Sequence, residues 1–178
     1  MAQASADSVR PSPALGGNQP LDQIAIAPSG DGYLLTTTTV VDRPIDEVFA
    51  FFADAGNLEQ LTPPTLNFKI LTPQPIEMRE GALIDYRIRV HGVPIKWKTE
   101  ITAWEPDKRF IDEQRRGPYL RWIHEHTFEQ TQAGVLVADR VDYKPPMRWL
   151  SHPLLIKRDL TKIFTFRREA LHRRFAVS

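Results

Sequence analysis

The run from Ser151 to Phe175 limits the fold more than any other part of the chain. Ile156, Leu160, Ile163, Phe164, Leu171 and Phe175 recur at helical spacing and fall on one face. Ser151 suits an N-cap, and Pro153 suits a first helical turn, where a missing N–H costs nothing. A helix of this length spans about 35 Å, the width of a small domain. It follows a long series of strand-like segments with no second long helical pattern, so the economical architecture is a curved sheet wrapped around one helix. Arg167 interrupts the apolar stripe. Two arrangements suit it: its stem packs while the guanidinium reaches solvent or a surface carboxylate, or it enters a partly wet cavity and pairs with an inward acidic residue.

Upstream, residues 1–30 are rich in Ala, Ser, Pro, Gly and Gln and read as a flexible leader, which leaves one domain over 31–178. Tyr33 to Val41 is rich in β-branched residues and reads as a strand. Asp42 is the expected N-cap of a short helix with Pro44 in its first turn, and Val48, Phe49, Phe51 and Phe52 give that helix its apolar side. Asn57 is expected to cap a second short helix, which Pro63-Pro64 ends. From residue 66 the pattern has period two, predicting strands at 66–72, 82–91, 94–104, 109–115, 119–129 and 135–143. Short turn-rich connections make neighbours antiparallel. The expected class is α+β: a curved antiparallel sheet of about seven strands, two short helices after the first, and a long C-terminal helix.

Composition closes off several functions. A net charge of +1 implies no polyanionic partner, so no nucleic-acid partner is expected. The absence of cysteine removes disulfide, thiolate and zinc–thiolate chemistry. No apolar run approaches the ~18 residues of a membrane span, and the N-terminus lacks the pattern of a secretory signal, so a cytoplasmic location is expected. No Gly-rich phosphate loop or Gly-x-Ser-x-Gly elbow is present. Arg167, Arg168, His172, Arg173 and Arg174 make the final helix basic, and most of them fit a solvated face or a transient contact with a membrane surface.

Three passages carry a family resemblance. Val41-Asp42-Arg43-Pro44-Ile45-Asp46-Glu47-Val48-Phe49 resembles the entry into the first helix of the START-like, or SRPBCC, superfamily. Trp104-Glu105-Pro106-Asp107-Lys108-Arg109-Phe110 resembles its mid-sheet turn. Gly117-Pro118-Tyr119, Trp122 and His124-Glu125-His126-x-Phe128 resemble a bacterial polyketide cyclase/dehydrase-like or ligand-binding branch. The resemblance covers about residues 33–177 and implies the helix-grip fold. It includes lipid and sterol carriers as well as aromatic cyclases, so it does not select an activity.

Alternation assigns the inward side chains. Ile84, Tyr86, Ile88 and Val90 share one face, as do Ile95, Trp97, Thr99, Ile101 and Ala103. On the next strands the inward sets are Phe110, Asp112 and Gln114; then Leu120, Trp122, His124, His126 and Phe128; then Val135, Val137, Asp139, Val141 and Tyr143. Asp112 and Asp139 thus lie on apolar faces, where an unpaired carboxylate is costly. A tight loop at 131–134 sets His126 opposite Asp139, and a loop at 116–118 sets Asp112 opposite Trp122.

The polar cluster Asp112, Trp122, His124, His126, Asp139 and Arg167 is the candidate site. It serves one of three roles: a network that fixes strand register, an anchor for the polar end of a greasy ligand, or an acid–base pair. The ligand-binding set expected is Tyr86, Trp97, Thr99, Asp112, Gln114, Trp122, His124, Tyr143, Ile163 and Arg167. In the enzyme alternative, which cyclase-like relatives imply, His126 is the base and Asp139 holds its tautomer. A third alternative is a filled interior and an interaction surface. His124-x-His126 can bind metal only with a third ligand from Asp139, Asp112 or elsewhere, and neither a metal nor another cofactor is expected. The expected partner is a hydrophobic or aromatic small molecule, held by a monomer or homodimer.

Overall fold

A computed structural model of the chain describes residues 23–146 and 155–176. The elements run β1 (Ile24–Ser29), β2 (Gly32–Val41), α1 (Ile45–Ala53), 3-10 turns at Ala55–Glu59 and Pro64–Leu66, then β3 (Lys69–Ile70) and β4 (Leu83–Val90). They continue through β5 (Val93–Glu105), β6 (Arg109–Arg116), β7 (Arg121–Thr131), β8 (Gly134–Lys144) and α2 (Lys157–Phe175). Among the described residues eight strands form one sheet in the order β1-β2-β8-β7-β6-β5-β4-β3. Every pairing is antiparallel. Among the described residues no helix is long and apolar enough to cross a membrane.

The architecture is the expected one, with local differences that have physical causes. Ile24–Ser29 was assigned above to the leader, but it is an edge strand on β2, with Ile24 and Ile26 packed against the core. Its alternation of Ile and Ala is only two pairs long, too short a signal to separate from the Ser/Pro-rich stretch before it. The strand expected at 66–72 shrinks to Lys69–Ile70, because Pro64–Leu66 closes a 3-10 turn that leaves Asn67 at positive φ. Asp42 does not cap α1. Pro44 occupies the N-cap position with no side-chain bond, and the Val48 N–H reaches the Pro44 carbonyl. Asp54, not Asn57, caps the next turn by accepting from the Gly56 N–H. The expected N-terminus of the last helix, with Ser151 and Pro153, lies outside the described residues.

A bulge in β5 changes one face assignment. Ile101 pairs with Asp112 but Ala103 pairs with Ile111, so one extra β5 residue sits between them. Beyond the bulge the alternation reverses: Trp104 pairs with Phe110 and joins the inner face, and Ala103 leaves it.

Two apolar clusters fill the interior at opposite ends of α2. One joins α1 residues Val48, Phe49 and Phe52 to Phe110, Phe128, Leu171 and Phe175. The other joins Leu35, Val141 and Tyr143 to Leu160 and Phe164. The helix leans on β1 and β2, so the half of the sheet formed by β4, β5 and β6 curves away without being sealed.

The β7–β8 hairpin carries the register on which the site depends. Gly134 closes it at φ 116°, and a Cβ there would collide with the Val41 carbonyl. Gly134→Ala should therefore destabilise the fold by more than about 1 kcal/mol, read as a lowered midpoint in urea.

Candidate functional site

The site grows from three neighbouring strands and the helix. On β7, the side chains of His124 and His126 point inward one pleat apart, with ring centroids 3.8 Å apart. The β7–β8 pairing sets His126 opposite Asp139 and Phe128 opposite Val137, as the hairpin rule predicts. The β6–β7 pairing differs from expectation by two residues. Asp112 faces His124, not Trp122, because the chain between the strands is a wider loop. Gln114 stabilises that loop: its amide donates to the Tyr119 carbonyl at 2.7 Å and accepts from the Tyr119 N–H at 3.3 Å. The extra loop length also leaves Leu120 outside β7, 68% exposed.

Two imidazoles are thereby clamped between two carboxylates. On one side, Asp139 Oδ1 lies 3.0 Å from His124 Nε2 and 2.8 Å from His126 Nδ1. On the other, Asp112 Oδ2 lies 3.0 Å from His126 Nε2 and 3.5 Å from His124 Nδ1. Arg167 completes the group from α2, donating through Nε to Asp139 Oδ2 at 3.2 Å and through Nη2 to Oδ1 at 3.3 Å. The guanidinium also lies over the Phe52 ring, 5.1 Å from its centre, and Phe110 stacks on His126 at 4.2 Å. Of the two arrangements open to Arg167, the inward one holds: it is 8% exposed and Asp139 is 4% exposed.

Charge in this cluster follows from the contacts. Burial opposes ionisation of Asp139, but the Arg167 charge and the hydrogen bonds from both histidines outweigh it and hold the carboxyl well below its usual range. Asp112 is likewise lowered: burial opposes, and His124, His126 and Arg167 prevail. The histidines diverge. Burial and the neighbouring His126 charge lower His124 below the usual value. For His126, burial is outweighed by hydrogen bonds to Asp112 and Asp139 on its two nitrogens, and its pKa is raised. At a pH between the two displaced histidine values the cluster holds an imidazolium at His126, a neutral His124, two carboxylates and one guanidinium, with a net charge of zero.

The cluster forms one wall of a cavity of about 850 Å³ between the sheet and α2. Of the expected residues, Tyr86, Trp97, Thr99, Asp112, Trp122, His124, His126, Ile163 and Arg167 line it. Gln114, Tyr143 and Asp139 do not. Gln114 is spent on the β6–β7 loop, Tyr143 is fully buried in the cluster with Leu35, and Asp139 stands behind the histidines. Aromatic rings continue the sheet side of the cavity beside the cluster: Tyr86 stacks on Trp97 at 5.8 Å, Trp97 meets Trp122 edge-on at 5.4 Å, Tyr119 packs on Trp122 at 4.8 Å, and Trp122 lies 6.3 Å from His124. The Trp97 indole N–H is buried without a hydrogen-bond partner among the described residues. Phe52, Leu61, Phe68, Tyr119 and Ile156 also line the cavity and were not in the expected set. For Phe52 and Ile156 the apolar helical faces were the available signal. At the rim, His91 Nε2 and Asp159 Oδ2 are 2.7 Å apart and tie the β4–β5 turn to α2.

Fold and site together define a helix-grip domain of the START-like class with a hollow interior. The sequence matches the profile of the family described as polyketide cyclase / dehydrase and lipid transport over residues 41–171, and the chain belongs to that family. Solved structures show the same fold. Protein CV1439 from Chromobacterium violaceum is 14% identical with a TM-score of 0.65, over 82% of this chain and 99% of the other. Protein Ms6760 from Mycobacterium smegmatis is 15% identical with a TM-score of 0.62, over 85% and 96%. Ginseng major latex-like protein 151 from Panax ginseng is 12% identical with a TM-score of 0.61, over 81% and 97%. No curated protein matches the sequence.

Two predictions follow from the clamp. Asp139→Asn leaves Arg167 buried without its counter-charge and should cost about 3–5 kcal/mol in urea unfolding. The second concerns pH. Because the folded-state pKa of His126 lies above the usual 6.5, its stabilisation is complete below pH 6.5 and is lost as pH rises through the raised value. The stability gap between wild type and His126→Gln should therefore be widest in mildly acidic buffer and close on the alkaline side.

Proposed function

We propose that the protein binds a hydrophobic or aromatic small molecule, lipid-like or polyketide-like, between the sheet and α2. The observation that carries this reading is the hollow itself: about 850 Å³, with aromatic walls and one polar corner. Binding cavities for small molecules have this size and this economy of polar groups. A filled interior, the interaction-module alternative, does not suit a void of that volume. The polar corner orients the ligand. The Trp97 N–H is a buried donor awaiting an acceptor, and Asp112, with its side chain 18% exposed, is the carboxylate of the cluster nearer the cavity. On this reading the domain acts in the cytoplasm, as a monomer or homodimer.

Native mass spectrometry of the purified chain should show a co-purifying apolar molecule. Displacement of a fluorescent naphthalene sulfonate should then report competition by lipids or aromatic polyketides. Ile163→Trp narrows the cavity from the helix side and should weaken such binding about tenfold or more while leaving the fold intact. An unchanged affinity in that variant, with no co-purifying molecule, would count against the cavity as the binding place.

The opposite pKa directions of the histidines favour one further reading, an acid–base enzyme of the cyclase or dehydratase type. The roles differ from the expected ones. His126 has a carboxylate on each nitrogen and suits a proton donor, whereas neutral His124 suits the base. If the cavity catalyses cyclisation of a poly-β-ketone, His126→Gln should lower turnover about 10²–10⁴-fold and leave ligand binding nearly unchanged.

A further inference from the structure

We propose that Asp112, His124 and His126 hold one divalent transition-metal ion, of the zinc, cobalt(II) or iron(II) kind, on the cavity wall. His124 Nδ1, His126 Nε2 and an Asp112 carboxylate oxygen all lie within 4.8 Å of one another. Metal bonds of about 2.0–2.2 Å place neighbouring donors about 3–3.6 Å apart. The two His–Asp separations, 3.0 Å and 3.5 Å, already have that spacing. Small side-chain adjustments bring all three donors onto one centre.

The surroundings supply what a bare cluster lacks. A metal-bound histidine needs its other nitrogen held by an acceptor, which fixes the tautomer and aims the ring. Here one carboxylate stands behind both rings: Asp139 Oδ1 lies 3.0 Å from His124 Nε2 and 2.8 Å from His126 Nδ1, a nitrogen that Arg167 Nη2 also approaches at 3.1 Å. Arg167 anchors that carboxylate in turn, and Phe110 stacked on His126 limits ring rotation. The donor nitrogens are therefore Nδ1 on one residue and Nε2 on the other, both on the Asp112 side. The sequence spacing left the third ligand undecided among Asp139, Asp112 and others. The observed register assigns Asp112 to the coordination sphere and Asp139 to the shell behind it.

Three protein donors leave open positions, and all three residues line the cavity. Charge selects what fills them. With neutral histidines, a dication, Asp112, Asp139 and Arg167 sum to +1, so an anionic oxygen completes the balance: hydroxide, or an enolate or carboxylate on a cavity ligand. The second of these donors rests on the binding reading above; the metal site itself does not.

The test uses the full chain, stripped with chelator and titrated with Co²⁺ alone. One equivalent should bind with visible d–d bands, Zn²⁺ should displace it, and the imidazole resonances of His124 and His126 should be the ones broadened or shifted. Asp112→Asn and His124→Gln should each weaken uptake at least tenfold, whereas His172→Gln near the end of α2 should not. The wild-type experiment decides the matter without the variants. Absence of bands at millimolar Co²⁺, or bands that leave both imidazoles unperturbed, would overturn the site. Because the probe is a bare metal, failure here leaves the apolar-ligand reading standing, and failure of apolar binding leaves this one standing.

Discussion

The helix is tied to the sheet at its middle by the buried pair of Asp139 and Arg167. Asp139 lies on β8, between β2 and β7, and Arg167 projects from the centre of α2 with Phe164 in one apolar cluster and Leu171 in the other. Apolar packing alone would let a rod slide or rotate over a bent surface with little penalty. A guanidinium that must reach one carboxylate through two hydrogen bonds cannot do so. The pair thus fixes the helix over β1 and β2 and leaves β4 to β6 facing a void. Cavity and ion pair are two results of one constraint.

The same carboxylate organises the imidazoles. By engaging His124, His126 and Arg167, Asp139 turns the other nitrogen of each ring toward Asp112 and the cavity. The wall that a ligand meets is therefore pre-aligned by a group the ligand does not touch. The arrangement also separates two chemically identical rings. His126 is bracketed by carboxylates at 2.8 Å and 3.0 Å, which outweigh its burial, whereas His124 has one close partner and one at 3.5 Å, and burial with the neighbouring His126 charge prevails there.

Much of this was legible in the sequence because it depends on periodicity. The six-strand alternation, the helical stripe and the short β7–β8 loop place His126 opposite Asp139 with no further information. What stayed hidden depends on loop length and on single-residue insertions. Nothing in Arg116 to Leu120 announces that the loop is wide enough to slide Asp112 from Trp122 to His124. Nothing in Ile101 to Trp104 announces the bulge that exchanges Ala103 for Trp104. Gln114 illustrates the limit well: its inward position was read correctly from alternation, yet its amide turns to the Tyr119 backbone and is lost to the cavity. Arg167 was visible as an anomaly in the stripe and as one candidate partner of an inward carboxylate, but the choice between that and a solvent-facing arrangement needed the tertiary fold, which joins residues 28 apart in sequence.

A network of this kind is a poor device for stability alone. Well-packed apolar side chains of similar volume commonly replace a buried ionic cluster at no loss, because the charges must first be stripped of water. Register is already enforced by Gly134 at the β7–β8 turn and by the inward phenylalanines Phe110 and Phe128. The cluster is placed where a purely structural one has no need to be, with one carboxylate sealed behind the rings and the other open toward an 850 Å³ hollow. That asymmetry gives an inner half that holds geometry and an outer half that meets a ligand. A fold shared with proteins at 12–15% identity supplies the container. The five residues Asp112, His124, His126, Asp139 and Arg167 give this container its particular chemistry.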